Sequence, residues 1–489
     1  MNKWINVLLI GYGPHARRIY VPALERLLDQ GVRLSGVVEL ESNRGIVSER
    51  FAELPAIYVS GSDDAQSAVL SDGLICQLDR LVKREEIDGV IISTEPRAHA
   101  AYAKWAINRE LHVLMDKPIS TEAAASTDPK QAEKIFSAYE ELVAAYSERR
   151  SSGSKASFTI MAQRRYHPLF SIVRDRIGEV FERTGCPVTS IQLYHSDGQW
   201  RLPHEIVHQR YHPYNEGYGK ASHSGYHFFD LANWFCSIAE RDGKKLDTLR
   251  LSAQAVRPSD MMHTFTPDDC RNLFPDFDTY HGLAANELVA NGRRYGEIDI
   301  TVQAAAYSEG HVQCLINIGL FHTGFARRNW IDSTGRDLYK GNGRVRHESH
   351  IIQQGPFQTI HVHSFQSGEI SETASMAVED QISIGGEYHL DAHVFRNERV
   401  VPTWKNYEMI SSSDLYGGQS FERYSRGHQE DARMNSVRDF IKNIRLDHSS
   451  LISDLSDHKR SVQLMSSSYL SLARLHCGRS EVVTAPFIR

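Results

Sequence analysis

Cysteine is scarce in these 489 residues: there are six, at 76, 186, 236, 270, 314 and 477, and no C-x-x-C pair among them. Scattered thiols in so long a chain exclude a disulfide framework and are expected to be reduced and mostly buried. Long hydrophobic runs are missing as well. None approaches the roughly 18 residues that a membrane span needs, so no membrane partner is expected. An excess of one charge is also absent. The 55 Lys+Arg and 61 Asp+Glu leave a net charge of −6, which gives no reason to expect nucleic acid or an acidic membrane as partner. Internal repeats and a long disordered tail are lacking too. Met1-Asn2-Lys3-Trp4 leads directly into the first apolar run and leaves no room for a signal peptide, so the expected compartment is cytoplasmic.

What is present is the composition of a soluble globular protein, 41% hydrophobic and 24% charged. The length exceeds one ordinary core and suggests two or three domains. Up to about residue 118 short aliphatic runs alternate with helical patterns. Strands are expected at 5–10, 34–38, 56–59, 88–93 and 111–115, with helices over 14–30 and 96–109. Runs this short and this aliphatic suit strands covered on both faces, hence a parallel, doubly wound sheet. A small-polar insertion at 120–132, a helix to about 147, a Ser/Gly linker at 151–155 and a strand at 158–162 complete this part.

Beyond residue 165 the pattern changes. Alternating segments at 189–194, 250–255, 297–304, 312–320 and 358–365 read as half-exposed strands, with helices near 167–182, 224–238, 430–444 and 455–475. Grouped strands imply an α+β domain with a largely antiparallel sheet. The fold class is α/β overall, with domains expected at 1–163 and 164–489. Segments 258–296 and 327–350 read as polar insertions.

The most informative stretch is Val7-Leu8-Leu9-Ile10-Gly11-Tyr12-Gly13-Pro14-His15-Ala16. A strand feeds into G-x-G-x-x-A and a helix follows, which is the order that a dinucleotide site needs. Gly11 allows the tight turn, Gly13 lets a pyrophosphate approach bare backbone, and Ala16 permits close helix–strand packing. The next run, Leu34 to Val38, ends in Glu39, an acidic group placed to accept from the adenosine ribose hydroxyls and to repel a 2′-phosphate. This favours NAD over NADP, with Arg44 close enough to complicate the choice.

Three more clusters carry chemistry. Thr94-Glu95-Pro96-Arg97-Ala98-His99 follows the end of a parallel strand, where ligands bind in such sheets. Asp116-Lys117-Pro118 ends the next strand and puts a lysine over the nicotinamide end. In Gly217 to Asp230, an α-helix over 223–236 would align His223, His227, Asp230 and Trp234 on one stripe, facing a cleft. Phe228, Leu231 and Phe235 would form the core stripe.

Together with Gln163-Arg164-Arg165, these clusters resemble the glucose–fructose oxidoreductase/inositol dehydrogenase family of NAD(P)-dependent sugar and cyclitol dehydrogenases. The resemblance runs from the N-terminus to about residue 240 and loosely beyond. It implies a Rossmann domain and a second domain whose open sheet forms a homo-oligomer interface, as dimer or tetramer. It also implies a small carbohydrate-like substrate, Lys117 as the family lysine and His227 as the acid/base. By the same resemblance His223 stands where the family has aspartate, and it would modify the chemistry or bind substrate. Arg164, Arg165, His212, Tyr214 and Asp230 are the candidate substrate contacts, and Tyr12, Pro14, His15, Thr94, Glu95, Pro96, His99 and Asp116 line the cofactor side.

The implied activity is hydride transfer between nicotinamide and a secondary alcohol or ketone of a sugar, aminosugar, nucleotide-sugar or cyclitol. Two alternatives stay open: a hydrolase or lyase using tightly held NAD in a transient oxidation, and a non-catalytic cofactor-binding protein. His204-Glu205-Ile206-Val207-His208 matches H-E-x-x-H, but it lacks a metzincin continuation and runs into the dehydrogenase cluster, so no metal is assigned. His361-x-His363, on one face of a strand, is likewise assigned no metal.

Overall fold

The computed structural model describes residues 3–60, 69–326, 344–367, 382–386, 388–411, 414–415, 428–446 and 451–488. Two compact units emerge, and neither is one continuous stretch: 1–121, 134–167 and 428–462 make the first, 122–133, 168–427 and 463–489 the second. A cut near 163 in the sequence thus does not coincide with the packing. The late segment 428–462 joins the first unit because helix α13 (His428–Leu446) packs Met434, Val437, Phe440 and Ile441 into that unit's core.

The first unit is built on six parallel strands: β1 (Ile5–Ile10), β2 (Val32–Leu40), β3 (Ala56–Val59), β4 (Gly89–Ile92), β5 (His112–Met115) and β6 (Phe158–Ile160). Their order is β3-β2-β1-β4-β5-β6, so the chain reverses its direction of travel across the sheet between β1 and β4. Ligands bind outside the carboxyl ends of the strands at such a switch point. Every residue of β1 and of β4 is buried, as the aliphatic runs require. The helix expected over 14–30 is interrupted. It breaks at Ile19 (φ −112°, ψ −62°) into α1 (Pro14–Arg18) and α2 (Tyr20–Glu25), and a 3₁₀ turn follows at Leu28–Gln30. Helices α3 (Arg44–Arg50), α4 (Asp72–Arg84), α5 (Pro96–Asn108) and α6 (Pro129–Ser151) follow in order, α6 beginning in the second unit.

The second unit holds a nine-stranded sheet ordered β14-β13-β12-β11-β7-β10-β9-β8-β15. The strands are β7 (Ser190–Ser196), β8 (Thr248–Val256), β9 (Asp299–Ser308), β10 (His311–Phe321), β11 (Arg346–Gln354), β12 (Gln358–Gln366), β13 (Asp391–Arg396), β14 (Tyr407–Ser411) and β15 (Val483–Pro486). All neighbours are antiparallel except β7 and β10. Helix α7 (Pro168–Thr184) precedes β7, and α14 (Lys459–His476) precedes β15.

Three expectations about insertions need correction. Part of 327–350 is the interior strand β11; 327–343 lies outside the described residues. Its alternation, Arg-His-Glu-Ser-His-Ile-Ile, is too polar to read as a strand, because Glu348 and His350 are buried beside each other on the covered face. Segment 258–296 is helical, with α10 (Pro258–Thr264), α11 (Pro267–Leu273) and α12 (Leu283–Asn291). Together with α8 (Pro203–His208) these bury Ile206, Met261, Met262, Cys270, Phe277, Ala285 and Leu288 in a satellite core. Helices of six to nine residues, three of the four begun by proline, carry too little periodicity to be recognised. The stretch 120–132 is also no loose insertion: Ala124 N–H donates to the Glu216 carbonyl (2.8 Å), and Ser126 N–H to that of Gly217 (3.0 Å).

Candidate active site

The glycine turn sits at the switch point. Gly11 has φ +94°, and a Cβ there would lie 2.5 Å from the Ser93 carbonyl oxygen at the end of β4, so only glycine fits. A Cβ on Gly13 would meet nothing within 4 Å. The loop therefore has open space at Gly13, as a phosphate cradle requires. Pro14 opens α1 with no N–H to satisfy, and Ala16 is fully buried against the sheet.

Glu39, near the end of β2, turns back onto this loop. Oε2 accepts from the Tyr12 N–H, and Oε1 from Leu40 N–H (2.7 Å) and Asn43 Nδ2 (3.2 Å). A carboxylate offers about four lone-pair sites, so capacity for a ribose hydroxyl remains. Arg44 is not a loose cation: its guanidinium bonds both Glu41 oxygens (2.6 and 2.8 Å) and lies 3.9 Å above the Tyr58 ring.

Beyond β4 and β5 the second cluster closes. His99 is fully buried on α5, with Nδ1 2.8 Å from the Pro118 carbonyl and Nε2 3.1 Å from that of Thr94. It ties together the two loops that leave adjacent strands, including the one that carries Lys117 and its cis bond to Pro118. Glu95 occupies the N-terminal cap position of α5 and Pro96 opens the helix. The Asp116 carboxylate accepts from the Lys117 N–H at 2.8 Å and lies 3.5 Å from His15 Nε2. Burial works to raise the pKa of Asp116, but His15, Lys117 and His99 outweigh it and the pKa is lowered. In Gln163–Tyr166, Arg164 is buried. Arg165 points its guanidinium at the carbonyls of Ile452 (3.4 Å) and Asp457 (3.5 Å) and at the Asp457 carboxylate (3.7 Å). It braces the 452–457 segment.

In the second unit His223 does not share an α-helical stripe with His227. Residues Ala221–Gly225 form a π-helical turn, and α9 (Tyr226–Ser237) begins only after it. The wider turn changes the azimuth on which a four-residue spacing relies. Nor does a polar stripe stand clear of the core, since every residue from Tyr226 to Cys236 is buried, Asp230 included. A Cβ on Gly225 would lie 2.7 Å from Leu320 Cδ1.

His223 lies in a cage of rings. His212 stacks on it at 4.8 Å, Tyr214 (4.8 Å) and Tyr218 (5.8 Å) meet it edge to face, and His322 runs nearly parallel at 6.4 Å. Two residues chosen from the sequence, His212 and Tyr214, are thus brought to the third.

Sequence reasoning missed the charged groups behind this cage. Lys220, fully buried, donates to Asp197 Oδ2 at 2.8 Å. Asp197 also receives the Arg344 guanidinium and His322 Nε2, the latter at 2.7 Å. Burial alone would raise the Asp197 pKa, but Lys220 and Arg344 hold it well below the usual carboxylate range. Glu297, pushed up by burial, accepts from the Ala221 N–H (2.8 Å) and the Tyr469 hydroxyl (3.1 Å). Tyr469 in turn accepts from the Gly219 and Ser222 N–H groups (3.3 and 3.1 Å). Together they cap the π turn that carries His223.

Burial pushes His15 and His322 down to about 3. An unfolded histidine takes a proton below about pH 6.5, whereas these two resist protonation until far lower pH. Each therefore costs stability as pH falls from about 6.5 towards 3, by up to about 1.4 kcal/mol per pH unit. Thermal unfolding should show Tm falling steadily from pH 7 to pH 5; a flat profile would contradict this.

His204 and His208 lie on α8 with ring centroids 4.5 Å apart, and Glu205 is spent on the Leu202 N–H (2.8 Å). Among the described residues no three or more His, Cys, Asp or Glu are grouped to hold a metal ion. His361 and His363 stand on β12 among Ser349, Phe365, His393 and Phe395. No described helix is long and apolar enough to cross a membrane.

A glycine turn at the switch point of a β3-β2-β1-β4-β5-β6 parallel sheet defines the class, a dinucleotide-binding α/β protein. Residues 5–148 match the family model described as oxidoreductase family, NAD-binding Rossmann fold. The match spans less than a third of the chain and lies where the sequence resembles the glucose–fructose oxidoreductase/inositol dehydrogenase group. No curated protein matches the chain.

Among solved structures it is similar to an oxidoreductase domain protein from Kribbella flavida, at 12% identity and TM-score 0.57, with 100% of both chains covered. It is also similar to an oxidoreductase from Agrobacterium radiobacter in complex with NAD+, L-tartaric acid and magnesium (13%, TM-score 0.53, 99% of this chain and 98% of that one). A third is a 3-ketoreductase from Actinomadura kijaniata, in complex with NADP and TDP-benzene (13%, TM-score 0.51, 95% and 97%). At these identities the likeness is one of fold.

Proposed function

We propose that this protein is an NAD-dependent oxidoreductase acting on a secondary alcohol or ketone of a sugar, aminosugar, nucleotide-sugar or cyclitol. The observation that carries the reading is the Gly11–Ala16 turn at the switch point, with Glu39 folded onto it and Lys117 on the loop after β5. Glu39 would repel a 2′-phosphate, and Arg44 is committed to Glu41 and Tyr58. Both features favour NAD, although the structures similar in fold include complexes with each cofactor.

When bound, the nicotinamide accepts or donates the hydride. Lys117 donates a hydrogen bond to the substrate oxygen and holds it in place. His227 takes the hydroxyl proton on oxidation and returns it on reduction. Arg164, Arg165, His212, Tyr214 and Asp230 are the proposed substrate contacts. A homo-oligomer belongs to the same proposal: Leu315, Phe395, Tyr407 and Met409 are exposed on one face of the nine-stranded sheet.

The test is release of cofactor on denaturing the purified protein, followed by NADH titration. Released NAD(H), or saturable NADH binding, supports the reading; neither would refute it. In Lys117→Met, turnover of whatever substrate the protein accepts should fall by about 100-fold to 1,000-fold, the usual range for a lost hydrogen-bond donor to the reacting oxygen. Its NADH affinity should change little.

A further inference from the structure

Position 223 carries an imidazole that has no acidic neighbour on its own turn, yet a buried carboxylate reaches it through two intermediaries. Asp197 follows β7, His322 follows β10, and Tyr214 lies in the loop after α8. His322 Nε2 is 2.7 Å from Asp197 Oδ2, and its Nδ1 meets the Tyr214 hydroxyl. The Tyr214 ring meets His223 edge to face at 4.8 Å, and the His322 ring lies 6.4 Å from it.

The hydrogen-bond inventory gives this chain one direction. An ionised carboxylate only accepts, so Nε2 of His322 carries the proton. Lys220 and Arg344 keep Asp197 ionised, while burial and the same Lys220 keep His322 neutral. A neutral imidazole protonated at Nε2 has its lone pair on Nδ1, so Tyr214 must donate to it. The phenol proton is then committed inward, and any further bond to the Tyr214 oxygen must come from a donor. Arg201, His195 and the carboxylates of Asp299 and Glu297 complete the charged surroundings of the two rings. Asp299 is itself occupied by the His322 and Thr323 N–H groups.

We propose that Asp197 and His322 are positioning residues that lock Tyr214, whose ring packs edge to face on His223, as an acceptor-only hydroxyl, supplying from beyond β7 the carboxylate that position 223 itself lacks. The arrangement follows the logic by which an acid fixes the tautomer of a base that faces a hydroxyl. Its meaning for catalysis rests on the dehydrogenase reading of this site; the hydrogen-bond chain itself does not.

Ring-¹⁵N-labelled protein, read by long-range proton–nitrogen spectra at pH 7.5, tests it. His322 is assigned by the signal lost in His322→Gln, or in His322→Asn if that variant does not fold. The expected result is His322 protonated at Nε2 alone. Tyr214→Phe, which keeps the ring, should shift its Nδ1 towards the unbonded value and also move the His223 signals. A His322 protonated at Nδ1, or at both nitrogens, overturns the proposal, as does a His223 unmoved by Tyr214→Phe. NADH titration of the wild type and Tyr214→Phe runs alongside. Equal affinities are expected; absence of NADH binding in both would sink the dehydrogenase reading while leaving the tautomer result to decide the chain.

Discussion

Gly11→Ala is expected to lose NADH binding by 100-fold or more and to unfold at a lower temperature. At φ +94° the added Cβ would sit 2.5 Å from the Ser93 oxygen, 2.7 Å from its carbonyl carbon and 2.9 Å from the Thr94 nitrogen. All three are backbone atoms at the end of β4, held by the sheet, and cannot rotate away. The left-handed conformation costs a non-glycine residue about 1–2 kcal/mol, and overpacking adds roughly 1–3 kcal/mol. Relief would require β1 and β4 to part at the switch point, which is where the phosphates would rest. Gly13→Ala provides the contrast. Its Cβ meets no protein atom within 4 Å, so its stability should match the wild type while NADH binding still falls. Unfolding curves and fluorescence titration of both variants check the pair. Equal loss of stability in the two would contradict the argument.

Asp197→Ala should destabilise the second unit by about 3–5 kcal/mol, the range for removing one partner of a buried pair. Lys220 is fully buried and would face no counter-charge at 2.8 Å, and Arg344 would lose the same carboxylate. Lys220→Met should cost much less. Asp197 would keep the Arg344 guanidinium and the His322 ring as partners, so its charge stays compensated and no unpaired buried charge is left. Urea unfolding of the two variants, with m-values compared, measures the difference. A Lys220→Met penalty as large as that of Asp197→Ala would mean that the ammonium, not the carboxylate, organises the cluster.

The parts of the site that were legible in the sequence share one property: their geometry is set within a few residues. The Gly11–Ala16 turn needs only its own glycine and the strand before it. The parallel strands announce themselves because both of their faces are buried. His212 and Tyr214 could be chosen because their segment leads into the His223 turn. The helix after Pro14 misled for a related reason, since its periodicity is continuous in composition while the backbone turns at Ile19. The stripe through His223 and His227 failed because a π turn depends on the Glu297 and Tyr469 caps, far along the chain. The contacts of Arg165 were not legible either. A buried guanidinium that binds carbonyls 287 and 292 residues away looks, in sequence, like any arginine in a candidate pocket.

By itself the sequence determined the parallel dinucleotide-binding sheet, the place of its glycine turn and the acidic residue near the end of β2. Hydrophobic period and backbone freedom are local, so they can be read without knowing what lies opposite. Only the tertiary structure decided that 428–462 returns to the first unit, that Glu348 and His350 lie on an interior strand, and that Asp197, Lys220, His322 and Tyr214 meet behind His223. A buried charge is tolerable only where partners from other strands neutralise it, and nothing in the local pattern of residues records which partners those are.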